Sequence, residues 1–192
     1  MEDLKENING SADEQGIYTV EDWLKTSEDR RVELINGNFY DLAAPSRVHQ
    51  WIVSKLLTKI NNHIDSKGGD CEAYPAPFGV QLNKDKKTIV EPDITVVCDK
   101  NKLTDRGCVG APDWIIEVVS PSTASMDYVK KRELYMNVGV KEYWIVNPET
   151  GDITTYTEER PFIPQCLKTD EKCRSYIYPD LEIDFQEIIN QI

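Results

Sequence analysis

Histidine is scarce in this chain: His49 and His63 are the only two in 192 residues. The five cysteines (Cys71, Cys98, Cys108, Cys166, Cys173) form no C-x-x-C pair and stand at scattered spacings in odd number. These shortages argue against a structural zinc site, which needs closely spaced Cys or His ligands, and against a disulfide scaffold. The cysteines read instead as small apolar fillers or surface thiols. No apolar run approaches the roughly 18 residues that span a bilayer, so no membrane partner is expected. Positive charge is in deficit too, with 22 Lys and Arg against 34 Asp and Glu and a net charge of −12. A protein that grips nucleic acid chiefly by neutralising phosphates should be basic. Any such binding here must therefore be weak, local, oligomer-dependent or carried by metal. Met1–Gly16 has neither the apolar segment of a secretory signal nor any hydrophobic period. It reads as a disordered acidic tail, and the lack of a signal favours a cytoplasmic location.

What is present is the composition of a globular domain, 40% hydrophobic and 29% charged, and residues 17–192 are expected to form one domain with a sizeable core. Thr19, with Asp22 three residues on, caps a short helix within Tyr18–Lys25. Arg31–Ile35 and Asn38–Leu42 flank Asn36-Gly37, the signature of a tight type I′ hairpin. Val48, Ile52, Leu56, Ile60 and Ile64 recur every fourth residue, widened by Val53 and Leu57. That stripe predicts a long amphipathic helix from a Ser46 cap to about Ser66, stopped by Gly68-Gly69. Further strands are expected at Cys71–Tyr74, Phe78–Leu82, Ile94–Cys98, Trp114–Val119, Lys141–Asn147 and Asp152–Glu158. Lys84–Lys87 reads as a turn, Asn101–Ala111 as a loop, and Ser120–Ala124 as a strand-to-helix loop. A helix should run from about Thr123 to Asn137 and end at Gly139. One more hairpin is expected within Phe162–Tyr178, then a terminal strand and short helix within Leu181–Ile189. The pattern is that of an α+β (α/β) domain with a mixed β-sheet flanked by helices.

The chemistry concentrates in two runs, Val90–Val97 and Trp114–Ser120. Trp114–Val119 has no polar alternation, so its strand should be covered on both faces, yet Glu117 lies in its centre. An unpaired ionised carboxylate there would cost on the order of several kcal/mol, so something positive should meet it. The candidates are a Lys or Arg, or a divalent metal shared with a second carboxylate. Asp93, after Pro92 at the start of another apolar strand, is the second carboxylate. Paired carboxylate oxygens suit Mg²⁺, which takes one or two of them and keeps waters for a phosphate substrate. Downstream, Asp127, Lys131 and Tyr135 share one helix face and bring an ammonium back toward the carboxylates. Each residue also has a bland reading. Lys131 could form only a surface pair with Asp127, Glu33 could face solvent on its hairpin strand, and Glu91 could be an exposed neighbour. His49, Tyr135, Tyr143 and Trp144 could serve packing alone.

Taken in order, Val32-Glu-Leu-Ile-Asn-Gly37, Pro45-Ser-Arg-Val-His49, Pro92-Asp93, Glu117-Val-Val-Ser-Pro-Ser-Thr123, Asp127, Lys131, Tyr135 and Gly139-Val-Lys-Glu-Tyr-Trp-Ile-Val146 resemble the Uma-type restriction endonuclease family. That family is a branch of the PD-(D/E)xK nuclease superfamily, and the resemblance covers most of the chain from about Tyr18. It implies a restriction-endonuclease-like core and a Mg²⁺ site, with Mn²⁺ as the other candidate, built from Asp93 and Glu117. It also implies a catalytic lysine at Lys131, since the superfamily's usual position two after Glu117 is Val119. Glu33 matches a further family glutamate and would add a metal-binding or water-orienting carboxylate. The activity implied is metal-dependent hydrolysis of DNA phosphodiester bonds, with DNA held weakly and salt-dependently, and a homodimer would present two sites to two strands. Two rival readings stand beside it. One is a non-catalytic interaction module of the same fold, and the other is a metal phosphoesterase acting on a small phosphorylated substrate.

Overall fold

The computed structural model describes residues 16–25, 30–82, 86–120, 124–168 and 171–192. The expected acidic tail lies outside them apart from Gly16, whose N–H donates to the Asn36 carbonyl at 2.7 Å. Helix α1 (Val20–Trp23) carries the Thr19–Asp22 capping box read from the sequence. Strands β1 (Val32–Ile35) and β2 (Asn38–Asp41) pair antiparallel. They turn through Asn36 at φ 50° and Gly37 at φ 79°, the two positive values a type I′ turn demands. Helix α2 (Arg47–Lys67) begins at Ser46, whose hydroxyl accepts from the His49 N–H, and ends on left-handed Gly68. Its buried residues Ile52, Val53, Leu56, Ile60 and Ile64 are the predicted stripe.

Strands β3 (Glu72–Pro75), β4 (Gly79–Gln81), β5 (Ile89–Val90) and β6 (Ile94–Val97) follow. The turn expected at Lys84–Lys87 lies partly outside the described residues, as does the Ser120–Ala124 loop. The stretch expected to be a plain loop, Asn101–Ala111, instead contains a small antiparallel hairpin. Its strands are β7 (Leu103–Thr104) and β8 (Gly107–Val109). Strand β8 then runs parallel to β4, a tertiary pairing that its few residues do not signal by themselves.

Strand β9 (Trp114–Val118) is buried at every position, as an unalternating run requires. A π-helical stretch over Met126–Lys131 leads into α3 (Arg132–Val138), which ends at left-handed Gly139. Strands β10 (Glu142–Asn147) and β11 (Asp152–Thr157) follow as expected. The hairpin expected within Phe162–Tyr178 is divided differently. Strand β12 (Arg160–Leu167) pairs back onto β11, while β13 (Lys172–Arg174) pairs with β14 (Glu182–Asp184). Helix α4 (Phe185–Ile189) comes last.

The single mixed sheet expected from the sequence is two six-stranded sheets, ordered β2-β1-β5-β4-β8-β7 and β12-β11-β10-β9-β6-β3, plus the β13–β14 ribbon. In the second sheet β9 lies between parallel β10 and antiparallel β6. One face of this sheet, with Ile94, Val96, Trp114, Ile116, Trp144 and Val146, packs on α2 and α4. The opposite face, with Val97, Ile115, Val119, Tyr143 and Ile145, packs against Ile35, Val80 and Val90 of the first sheet and Tyr135 and Met136 of α3. The sheet is thus the middle layer, and Glu117 lies on its inner, doubly covered strand.

One cysteine expectation is overturned: Cys71 and Cys98 form a disulfide. The β3–β6 register explains it, because pairing of Glu72 with Val97 sets Cys71 opposite Cys98 one step further along the ladder. In a reducing cytoplasm the pair would stand as two thiols. Cys108 and Cys173 are buried free thiols and Cys166 is exposed, as filler and surface readings require.

Candidate functional site

Asp93 and Glu117 meet through strand register. Ile94 pairs with Ile116 in the antiparallel β6–β9 ladder, so the preceding Asp93 stands across from Glu117. Each side chain bonds the other's strand. The Asp93 N–H points to Glu117 Oε2 at 3.4 Å, and the Val118 N–H donates to Asp93 Oδ2 at 2.8 Å. Glu117 is only 4% exposed, whereas the Asp93 side chain is 19% exposed. Beside Asp93 opens a cleft of ≈ 260 Å³, lined by Gln50, Ser54, Val53, Leu57, Pro75 and Ala76. Asp93 therefore faces the entrance, and Glu117 sits behind it.

The positive partner demanded by the buried Glu117 is Lys131. Its ammonium lies 3.0 Å from Glu117 Oε1, 2.9 Å from Glu33 Oε1 and 3.6 Å from Asp127 Oδ1. The solvent-exposed readings of Lys131 and Glu33 are both corrected by this arrangement, since the two residues are 5% and 2% exposed. Asp127 is buried as well, so its pairing with Lys131 is not a surface pair. Glu33 arrives on β1 and is further held by the Glu91 N–H at 3.0 Å. Glu91 itself turns away to Arg31, 2.7 Å off.

Two residues with packing readings also enter the cluster. The Tyr135 hydroxyl donates to Glu117 Oε1 at 2.9 Å, while its ring packs edge-on against Tyr143. His49, on the first turn of α2, places Nε2 3.0 Å from Asp93 Oδ2 and Nδ1 3.3 Å from Gln50 Oε1. The helical spacing from Lys131 to Tyr135 carried a signal for the tyrosine. No local pattern could aim His49 at a carboxylate on β6. Tyr143 and Trp144 remain core aromatics, though each spends its polar atom, on the Asp127 carbonyl and Glu142 respectively.

The charges do not balance. Among the described residues four carboxylates (Glu33, Asp93, Glu117, Asp127) stand around one lysine and one histidine. Burial pushes the Glu117 pKa well above the usual carboxylate range, and the charges of Asp127, Asp93 and Glu33 add to the rise against the opposing pull of Lys131. Burial opposes the Lys131 charge, but Glu117, Glu33 and Asp127 outweigh it and hold the ammonium charged well above its ordinary range. For His49, burial again opposes charge, and the hydrogen bond and charge of Asp93 win, raising its pKa. Such a surplus of negative charge invites a cation.

The donor set fits a hard divalent ion. Among the described residues no group of three or more His, Cys, Asp or Glu side chains is arranged as a metal cage. Two carboxylates side by side, one of them lining a cleft, are, however, the set that Mg²⁺ takes with water completing its shell. Among the described residues each carboxylate has an oxygen in reserve. Lys131 and Tyr135 take Glu117 Oε1, leaving Oε2, among those residues, only the long contact from Asp93 N. Val118 and His49 take Asp93 Oδ2.

Known proteins share this chain's pattern and shape. A crystal structure of a "putative nuclease" from Anabaena variabilis superposes with a TM-score of 0.75 over 91% of this chain and 98% of its own, at 18% identity. That likeness carries the fold, and the α+β, restriction-endonuclease-like core expected from the sequence is the one found. An uncharacterized protein of Synechocystis sp. is 31% identical over 140 residues, 71% of this chain and 72% of its own length. The model of the Uma2 family, described as "Putative restriction endonuclease", matches residues 18–181, which include Glu33, Asp93, Glu117 and Lys131. The chain belongs to the Uma2 family.

Proposed function

We propose that this protein is a metal-dependent endonuclease that hydrolyses DNA phosphodiester bonds, with Asp93, Glu117, Lys131 and Glu33 as its working residues. The observation that carries the reading is the pairing of Asp93 and Glu117 across the β6–β9 ladder beside an open cleft, with a charged lysine buried behind them. Membership of the Uma2 family supports nuclease chemistry in general; metal dependence and DNA as the substrate are the proposal's own.

Asp93 and Glu117 would hold Mg²⁺ or Mn²⁺. When bound, the ion supplies Lewis-acid neutralisation of phosphate charge and a lowered pKa for a coordinated water. Lys131 acts through charge, because a lysine held protonated by Glu117, Glu33 and Asp127 is no general base near neutral pH. Its ammonium offsets negative charge as the phosphorus centre becomes pentacoordinate. Glu33 keeps that ammonium in place from the far side, at 2.9 Å. Tight packing around Glu117 excludes bulk water and strengthens these electrostatic terms.

The test is plasmid cleavage at low salt with Mg²⁺ or Mn²⁺, comparing wild type with Asp93→Ala, Glu117→Ala and Lys131→Ala, and in parallel with nucleotides as substrates. Metal-dependent nicking by wild type should fall by at least about 100-fold in each variant. Cutting that survives Asp93→Ala or Glu117→Ala would remove those residues from the site. Turnover of nucleotides with an untouched plasmid would move the assignment to a small-substrate phosphoesterase.

A further inference from the structure

Both carboxylates proposed to hold the metal are divided, one oxygen bound by the protein and one left over. Asp93 Oδ2 receives the Val118 N–H at 2.8 Å and lies 3.0 Å from His49 Nε2; no hydrogen bond to Oδ1 exists among the described residues. Glu117 Oε1 receives the Lys131 ammonium at 3.0 Å and the Tyr135 hydroxyl at 2.9 Å. Among the described residues its Oε2 meets only the Asp93 N–H at 3.4 Å, a distance at which little hydrogen-bond energy remains. The pattern is the same on both strands. Backbone or lysine provides one donor to the occupied oxygen, and an aromatic ring on a neighbouring helix provides the second.

Neither ring is needed at that spot for the helix that carries it. The start of α2 is capped by the Ser46 hydroxyl, which accepts the His49 backbone N–H at 3.1 Å, so the imidazole is free to be spent elsewhere. It is spent between Asp93 Oδ2 and the Gln50 side-chain amide, which fixes the plane of the ring. Tyr135 fills core space with its ring against Tyr143, but that packing would be as good with phenylalanine. The hydroxyl, in a fully buried side chain, has Glu117 as its reason to be there. A carboxylate ligand left to rotate presents either oxygen to a metal and loses entropy when it binds. Partners that pin the other oxygen remove that loss and orient the remaining lone pairs.

We propose that His49 and Tyr135 are positioning residues of the metal site. They hold Asp93 Oδ2 and Glu117 Oε1 to the protein and so present Asp93 Oδ1 and Glu117 Oε2 to the ion. The proposal rests on the metal-dependent reading above, in which neither residue is assigned a part. Removing such a partner costs about 10–100-fold in metal affinity or activity.

The experiment is calorimetric titration of the full chain with Mn²⁺, with the spectrum of bound Mn²⁺ followed by electron paramagnetic resonance. The samples are wild type, Asp93→Ala, Glu117→Ala, His49→Ala and Tyr135→Phe. Expected are tight binding by wild type, loss in the two carboxylate variants, and about 10–100-fold weaker binding with a broadened spectrum in His49→Ala and Tyr135→Phe. Imidazole, added at constant free Mn²⁺, should restore His49→Ala, because a free ring can re-enter the partly open site. Restoration sets positioning apart from a structural loss. The proposal is overturned if wild type and the two carboxylate variants behave as expected while His49→Ala and Tyr135→Phe bind Mn²⁺ like wild type. Weakening of His49→Ala that imidazole leaves unchanged would overturn the histidine's part. Absence of Mn²⁺ binding by wild type would overturn the metal reading, and this proposal with it.

Discussion

Position 117 sets stability against the proposed chemistry within one side chain. The carboxyl is buried among three other carboxylates and a single lysine, and burial heads the causes that lift its pKa well above 4.5. A carboxyl whose folded pKa exceeds its unfolded one binds its proton more tightly in the fold. The stability that proton brings is complete below about the unfolded value and is lost as pH rises through the folded one. The stabilising contribution of the Glu117 proton should therefore be lost as pH climbs above about 4.5. Glu117→Gln keeps an oxygen to accept from Lys131 and Tyr135 but carries no charge. It should be more stable than wild type by about 1–2 kcal/mol at pH 8, the margin shrinking toward pH 4. Urea unfolding at several pH values checks this. A Glu117→Gln protein less stable than wild type at pH 8 would show that the Lys131 pairing outweighs burial.

Among the elements, the two sheets reach the site by different routes. The second sheet brings Asp93 and Glu117 together by register, while the first delivers Glu33 on β1 through a chain of pairings from β8 to β4, β5 and β1. The tightest point in that chain is Gly107 on β8. Its φ of 143° disfavours any side chain, and an added Cβ would lie 2.0 Å from the Gly79 carbonyl oxygen. Gly107→Ala should therefore separate β8 from β4 and lower stability by more than about 1 kcal/mol, read as a fall in the urea midpoint. An unchanged midpoint would mean that the β4–β8 pair contributes nothing to the fold. The helix that carries the lysine is irregular in a useful place. Its Met126–Lys131 stretch is π-helical, with the Arg132 N–H donating to the Asp127 carbonyl. Such turns collect at functional sites, and here Asp127 and Lys131 both fall inside it.

For the whole molecule, the net charge of −12 governs how DNA would be met. An acidic surface repels the phosphate backbone at long range, so attraction must come from locally placed positive charge. Binding of a short labelled duplex, followed by fluorescence anisotropy, should be weaker than about 10⁻⁵ M near physiological salt. It should tighten by more than about tenfold when salt is lowered from about 0.2 M to about 0.05 M. Tight binding that ignores salt would point to a recognition surface outside the site described. No helix among the described residues is long and apolar enough to cross a membrane.

Much of this protein follows from neighbours along the chain. The α2 stripe, the Ser46 and Thr19 caps, the Asn36-Gly37 turn and the wholly buried Trp114–Val118 strand are visible in the sequence because periodicity, capping and turn conformation act over a few residues. Glu117 stood out for the same reason, as a charge inside an apolar run that had to find a cation. Lys131 could be matched to it because helical spacing returns one face. What required the tertiary structure was every pairing between residues distant in sequence. These are the division into two sheets, the Cys71–Cys98 bond across β3 and β6, the burial of Glu33 behind Lys131, and the turn of His49 toward Asp93. Local patterns say which side of a strand or helix is apolar. Which other element covers that side is decided by packing of the whole chain, and with it which oxygen of each carboxylate the protein itself occupies.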